Sequence, residues 1–161
     1  MRGTRVSLDS GVHESRRAII PRVKAPCELC DGSAGNVLYE DDLARIVLVD
    51  DVEHPGFCRV ILNRHVAETT DLSPDDRRHL MDIVFATEKA VRDIVAPDKM
   101  NVASLGNVVP HVHWHVIPRR KEDAHFPNPI WGARVREASP APIPPNLPGK
   151  LRAAIALELC D

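Results

Sequence analysis

The sequence predicts an α+β fold: an antiparallel sheet with one long helix packed on it. Three observations lead there. Short runs rich in β-branched residues are joined by connections of hairpin length, which implies antiparallel pairing. One stretch repeats its apolar positions at helical spacing over several turns. A late run alternates histidine with apolar residues at period two, as a strand with two unlike faces does. The 161 residues, 43% of them hydrophobic, suit one domain with a real core.

Residues 1–26 read as a basic N-terminal arm. Arg2, Arg5, Arg16, Arg17, Arg22 and Lys24 outnumber Asp9 and Glu14 there, with no periodicity. A compact knuckle, Cys27-Glu28-Leu29-Cys30-Asp31-Gly32, follows. Val37–Glu40 and Ala44–Val49 read as two strands around an Asp41-Asp42 turn. Asp50–Gly56 is a polar loop, and Phe57–Leu62 is the third strand. Ser73-Pro74-Asp75-Asp76 starts a helix, with serine as cap, proline in the first turn and acids against the dipole. Leu80, Ile83, Val84, Thr87, Val91 and Val95 keep its spacing, and Pro97 ends it. At about 1.5 Å per residue such a helix covers one face of a sheet. Met100–Leu105 and the histidine run complete the strands. Beyond residue 120 we expect a C-terminal tail, 121–161. It holds a linker, Ser139–Pro148, with Pro140, Pro142, Pro144, Pro145 and Pro148, and then a short helix over Lys150–Cys160.

Charge and composition exclude several classes. A net charge of -2 supplies no global field for nucleic acid or a membrane surface. No apolar run approaches the roughly 18 residues that span a bilayer. The N-terminus has no apolar signal core, so a cytoplasmic protein is expected. The 4 cysteines are too few for a disulfide scaffold, and the Cys27-x-x-Cys30 pair reads as metal or redox chemistry.

The chemistry concentrates in His111-Val112-His113-Trp114-His115-Val116-Ile117. In a strand the three imidazoles share one face, while Val112, Trp114 and Val116 face the core. Imidazole serves as base, nucleophile or metal ligand near neutral pH. His111 and His115 would lie roughly 13 Å apart, so one metal ion cannot take all three. Neighbours at i and i+2 can share a metal or flank one phosphate.

This run resembles the signature of the histidine triad (HIT) superfamily, His-x-His-x-His-x-x with apolar x, and fills every position of it. The resemblance extends over roughly Cys27–Arg119. It implies a HIT-like fold for residues 27–120 and a homodimer formed through a continuous sheet. It also implies a catalytic set of His113, His115 and His111. His113 would be the nucleophile at the α-phosphorus of a purine nucleoside phosphate, forming a nucleotidyl-histidine. His115 would contact the phosphate or leaving-group oxygen and, as imidazolium, donate a proton there. Some relatives bind zinc through a Cys-x-x-Cys knuckle and two histidines. The matching positions here are Cys27, Cys30, His65 and His111, a closed Cys₂His₂ set suited to a structural Zn²⁺. Asp50, with Asp51 as fallback, matches a ribose-binding position. Asn107 matches an amide beside the phosphate, and Asn101 a polar position before it.

Two positions depart from the family pattern. Phe57 stands where many relatives carry a histidine after Pro-Gly, and Val108 stands where a hydroxyl residue is usual. Trp131 either anchors the tail or covers a base or leaving group. His13, His54, His79 and His125 match no role and are expected at the surface. The expected activity is a nucleotide hydrolase or nucleotidyltransferase, with hydrolysis favoured because no second-substrate motif stands out. A weakly active nucleotide-binding protein is the alternative. A hydrolase with an open catalytic zinc fits poorly, since a Cys₂His₂ set leaves no open position.

Overall fold

A computed structural model of the chain describes residues 27–32 and 34–160. The basic arm and His13 lie outside the described residues. After a single helical turn, α1 (Glu28–Asp31), come β1 (Asn36–Glu40), β2 (Ala44–Leu48) and β3 (Cys58–Leu62). A long helix, α2 (Pro74–Val95), leads to β4 (Lys99–Ser104) and β5 (His113–Arg119), and α3 (Leu147–Cys160) ends the chain. The strands form one sheet in the order β1-β2-β3-β5-β4, antiparallel throughout. The α+β expectation is confirmed.

Local chemistry explains the main boundaries. Asp41 Oδ1 accepts the Leu43 and Ala44 N–H groups at 2.8 Å each, which closes the β1–β2 turn. The Ser73 hydroxyl accepts the Asp76 N–H at 3.0 Å, and Pro74 occupies the first helical position of α2. Pro97 keeps Ala96 out of the right-handed helical region, and Ala96 turns left-handed at φ 49°. Alternation then sorts the strands onto two faces. Ile46, Val60, Val112 and Val116 meet Leu80, Ile83 and Val91 of α2 in the main core. Val47 and Ile61 point to the opposite face, where Cys27 and Leu29 of the knuckle cover them.

Two features differ from the sequence expectations. The regular histidine strand begins at His113, because the His111 N–H turns back to Val109 O at 2.8 Å. It also runs through Pro118 to Arg119. Pairing with β3 stops at Val116, so the proline lies where one side has no partner strand. The C-terminal helix starts at Leu147 rather than Lys150. Its Leu147, Leu151 and Ile155 enter the main core, and Arg152 Nη2 donates to Asn36 Oδ1 at 2.7 Å. No helix among the described residues is long and apolar enough to cross a membrane.

Candidate functional site

The knuckle brings four donors together. One ligand atom each from Cys27, Cys30, His65 and His111 lie within 4.8 Å of one another. Cys27 and Cys30 flank the single turn of α1, and His65 follows β3. His111 Nδ1 stands 3.5 Å from both sulfurs, and His65 Nδ1 stands 3.5 Å from Cys30 Sγ. Zn–S bonds of about 2.3 Å and Zn–N bonds of about 2.05 Å at tetrahedral angles place sulfur and nitrogen about 3.5 Å apart. The donor set therefore has the dimensions of a four-coordinate zinc site. Its tautomer fits as well. Leu62 O can only accept, so the 2.7 Å bond to His111 Nε2 puts the proton there and leaves the Nδ1 lone pair toward the sulfurs. Burial lowers the His111 pKa, which favours that neutral form.

His113 and His115 sit side by side on β5, both buried, with ring centroids 4.8 Å apart. His113 Nδ1 lies 2.6 Å from His111 O, which can only accept. The proton is again fixed, this time on Nδ1, and Nε2 keeps the lone pair. Burial first, then the nearby His113 and Arg59, push the His115 pKa down to about 4. His115 is therefore neutral at pH 7, and the imidazolium expected of it is not its resting form. Its buried Nδ1 has no hydrogen-bond partner.

Both histidines line a cleft of about 490 Å³ with Glu28, Leu29, Arg59, Asn107 and Trp131. Phe57 tilts against His115 at 5.8 Å between centroids, and Trp131 meets it edge-on at 4.9 Å. Trp131 thus both holds its segment to the domain and walls the cleft. Arg119 secures that segment: its Nε and Nη2 donate to Asp123 at 2.8 and 2.9 Å, and Nη2 also reaches Asn128 O at 2.9 Å. Burial alone would raise the Asp123 carboxyl. Arg119 and the His125 and Phe126 N–H groups outweigh it and hold the pKa at about 2.

Other expected site residues lie elsewhere. Asp50 is exposed and outside the cleft lining, and Asp51 accepts the Glu53 and His54 N–H groups. Asn101 Oδ1 accepts from Arg119, and the residue lines a neighbouring cleft. Val108 is 91% exposed beside Asn107. Of the unassigned histidines, His79 is half exposed and bonded to Asp41, as a surface residue would be. His54 is not a surface residue: it is 4% exposed, buried under the 120s segment beside His125. His54, Asp123 and His125 also cluster. However, Asp123 is already occupied by Arg119 and by the Arg120, His125 and Phe126 N–H groups.

Sequence reasoning missed Arg59. It pairs directly across from His115 in the β3–β5 register. Alternation along β3 puts Phe57, Arg59 and Ile61 on one face, but which strand lies opposite requires the topology.

Comparison with known proteins agrees with this geometry. A bis(5'-nucleosyl)-tetraphosphatase (asymmetrical) of Schizosaccharomyces pombe is 32% identical over 74 residues, which is 43% of this chain and 41% of that protein. The chain thus spans less than half the length of that curated relative. A histidine triad protein of Bradyrhizobium japonicum superposes with a TM-score of 0.60 at 27% identity, over 76% of this chain and 90% of that one. A Zn-bound histidine triad family protein of Mycobacterium smegmatis gives 0.51 at 25% identity, over 85% and 90%. The family model for the HIT domain matches residues 32–122, more than half of the chain, and the protein belongs to the histidine triad family.

Proposed function

We propose that this protein hydrolyses nucleotide phosphates at the α-phosphorus, with His113 as nucleophile. One observation carries the reading: the 2.6 Å bond from His113 Nδ1–H to His111 O fixes the tautomer and leaves Nε2 free in the cleft. The Nε2 lone pair forms the P–N bond as the bond to the leaving group breaks, and the leaving group departs with that electron pair. The ring becomes positive, and the His111 carbonyl stabilises the charge through the same hydrogen bond. Water then forms a P–O bond as P–N breaks. This releases the nucleoside monophosphate and a proton and restores neutral His113. His115, two residues further along β5 on the same face, contacts the phosphoryl oxygens. Asn107, at the cleft rim, offers an amide to them. A purine nucleoside phosphate is the proposed substrate, and Asp50 would meet the ribose only after its loop moves inward.

The knuckle is proposed to hold a structural Zn²⁺ on Cys27, Cys30, His65 and His111. When bound, the ion would lock the knuckle to the sheet and fix the backbone at His111. That backbone carries the carbonyl on which the His113 tautomer depends. A homodimer is proposed through β4, which among the described residues is an edge strand of the sheet. Phe85 of α2 is 56% exposed, and Glu88, one turn on, lines the same cleft as β4. Sedimentation of Phe85→Glu at the mass of the wild-type species would reject that interface.

The test of the activity is AMP release from an adenosine phosphoramidate and from a dinucleoside polyphosphate, by wild type and His113→Ala. Release by wild type and its loss in the variant support the nucleotidyl-histidine route. Binding without release by wild type would favour the second reading, a weakly active nucleotide-binding protein. The replacement of two expected polar groups by Phe57 and Val108 is what favours it.

A further inference from the structure

Arg59 is a permanent cation in the cleft with no anion to meet. Among the described residues its side chain makes no ion pair and no hydrogen bond, and its buried Nε has no partner. Its guanidinium carbon stands 5.7 Å from the centroid of the Phe57 ring. Arg59 is partly buried, and a charged group taken partly out of water without a partner is unusual. The register places it directly opposite His115, and Ile61 opposite His113. Cross-strand pairs stand about 5 Å apart at Cβ and diagonal ones about 7–8 Å. Arg59, His113 and His115 line one cleft, and an arginine side chain is long enough to cross such a gap toward an anion over the two histidines.

Among the described residues the only other charged residue on the cleft wall is Glu28, at the exposed rim. Among the described residues Arg59 is therefore the fixed positive charge of the site. Building on the proposed hydrolase reading, we propose that Arg59 binds phosphate groups beyond the α-phosphate and selects nucleoside and dinucleoside polyphosphates over substrates with a neutral leaving group. The leaving-group chemistry agrees. A polyphosphate departs as an anion that a guanidinium can hold by paired N–H bonds. An amine must take up a proton as it leaves, and a neutral His115 is a weak proton donor.

The experiment compares kcat/KM of wild type, Arg59→Gln and Arg59→Lys on diadenosine tetraphosphate and adenosine 5'-phosphoramidate. Losing charge-assisted hydrogen bonds costs about 10- to 100-fold. Arg59→Gln should lose that factor on the tetraphosphate and at least about tenfold less on the phosphoramidate. Lysine should recover part of it. Thermal stability should change little, since the Arg59 side chain makes no hydrogen bond or ion pair among the described residues. Equal loss on both substrates, or no loss on the tetraphosphate, overturns the proposal. If wild type turns over neither substrate, the hydrolase reading fails, and Arg59 is then tested by binding. Quenching of tryptophan fluorescence should give affinities rising from AMP to ADP to ATP in wild type and flat in Arg59→Gln. The same rise in both proteins, or none in either, overturns it.

Discussion

Asp123→Asn should destabilise the protein strongly and loosen the wall of the cleft. Arg119 is 1% exposed, and its charge is met by Asp123 through two bonds of 2.8 and 2.9 Å. Asparagine keeps the shape but removes the negative charge and turns an N–H₂ toward a donor. Leaving one member of a buried ion pair alone costs about 3–5 kcal/mol. Against a total stability of about 5–15 kcal/mol, this lowers Tm by about 10 °C or more. The pH dependence gives a second reading. Asp123 has a folded pKa of about 2 against a usual 3.8, a difference worth about 2.5 kcal/mol. Because the folded value is depressed, that stability is complete above the unfolded value. It is lost as pH falls through the folded one. The gap in Tm between wild type and Asp123→Asn, followed by circular dichroism, should therefore be wide at pH 7 and close between about pH 4 and 2. Arg119→Met combined with Asp123→Asn should recover much of the loss, because no charge is then stranded. A single variant as stable as wild type at pH 7, or a gap that persists unchanged through the acid range, would refute the reasoning.

Two further outcomes are expected. Cys27→Ser should lose bound zinc by elemental analysis and melt at lower temperature, and chelation of the wild type should act in the same direction. An unchanged melt with undiminished metal would remove the zinc proposal. Leu151→Ala, at a fully buried position of α3, should cost about 2–5 kcal/mol in denaturant unfolding. A loss under about 1 kcal/mol would mean that α3 unfolds separately from the sheet.

Much of the scaffold was legible because it rests on local rules. The Ser73-Pro74 cap and Pro97 bound α2 by side-chain and ring chemistry alone. Strand alternation correctly put Val112 and Val116 in the core opposite the histidine face. The rest depended on contacts distant in sequence. Asn101 looked like a site residue, but a buried Arg119 claims its amide. His54 reads as a surface histidine in the sequence, but the 120s segment folds over it. Arg59 gave no signal because its meaning comes from His115 on a neighbouring strand, more than fifty residues away in the chain. Trp131 left two readings open, and the fold satisfies both, since the Arg119–Asp123 pair anchors its segment while the indole meets His115.

The triad's alternation encodes more than a shared face. His111 and His113 hold opposite tautomers, each set by a backbone carbonyl that can only accept. Leu62 O takes the proton of His111 Nε2, which frees Nδ1 for the cysteine sulfurs. His111 O takes the proton of His113 Nδ1, which frees Nε2 for the cleft. The second bond depends on the first residue, because the carbonyl that orients His113 belongs to His111. Metal at the knuckle would therefore reach the proposed nucleophile through the backbone of a single residue, with no charge carried between them. This coupling makes a definite demand: loss of zinc should disorder the His113 tautomer before it unfolds the sheet. In ¹⁵N spectra of the imidazoles, chelation short of the melt should shift the His113 nitrogens toward a mixture of tautomers. If they keep a single tautomer while the metal is gone, the knuckle serves stability alone, and the geometry of His113 is a property of β5 itself.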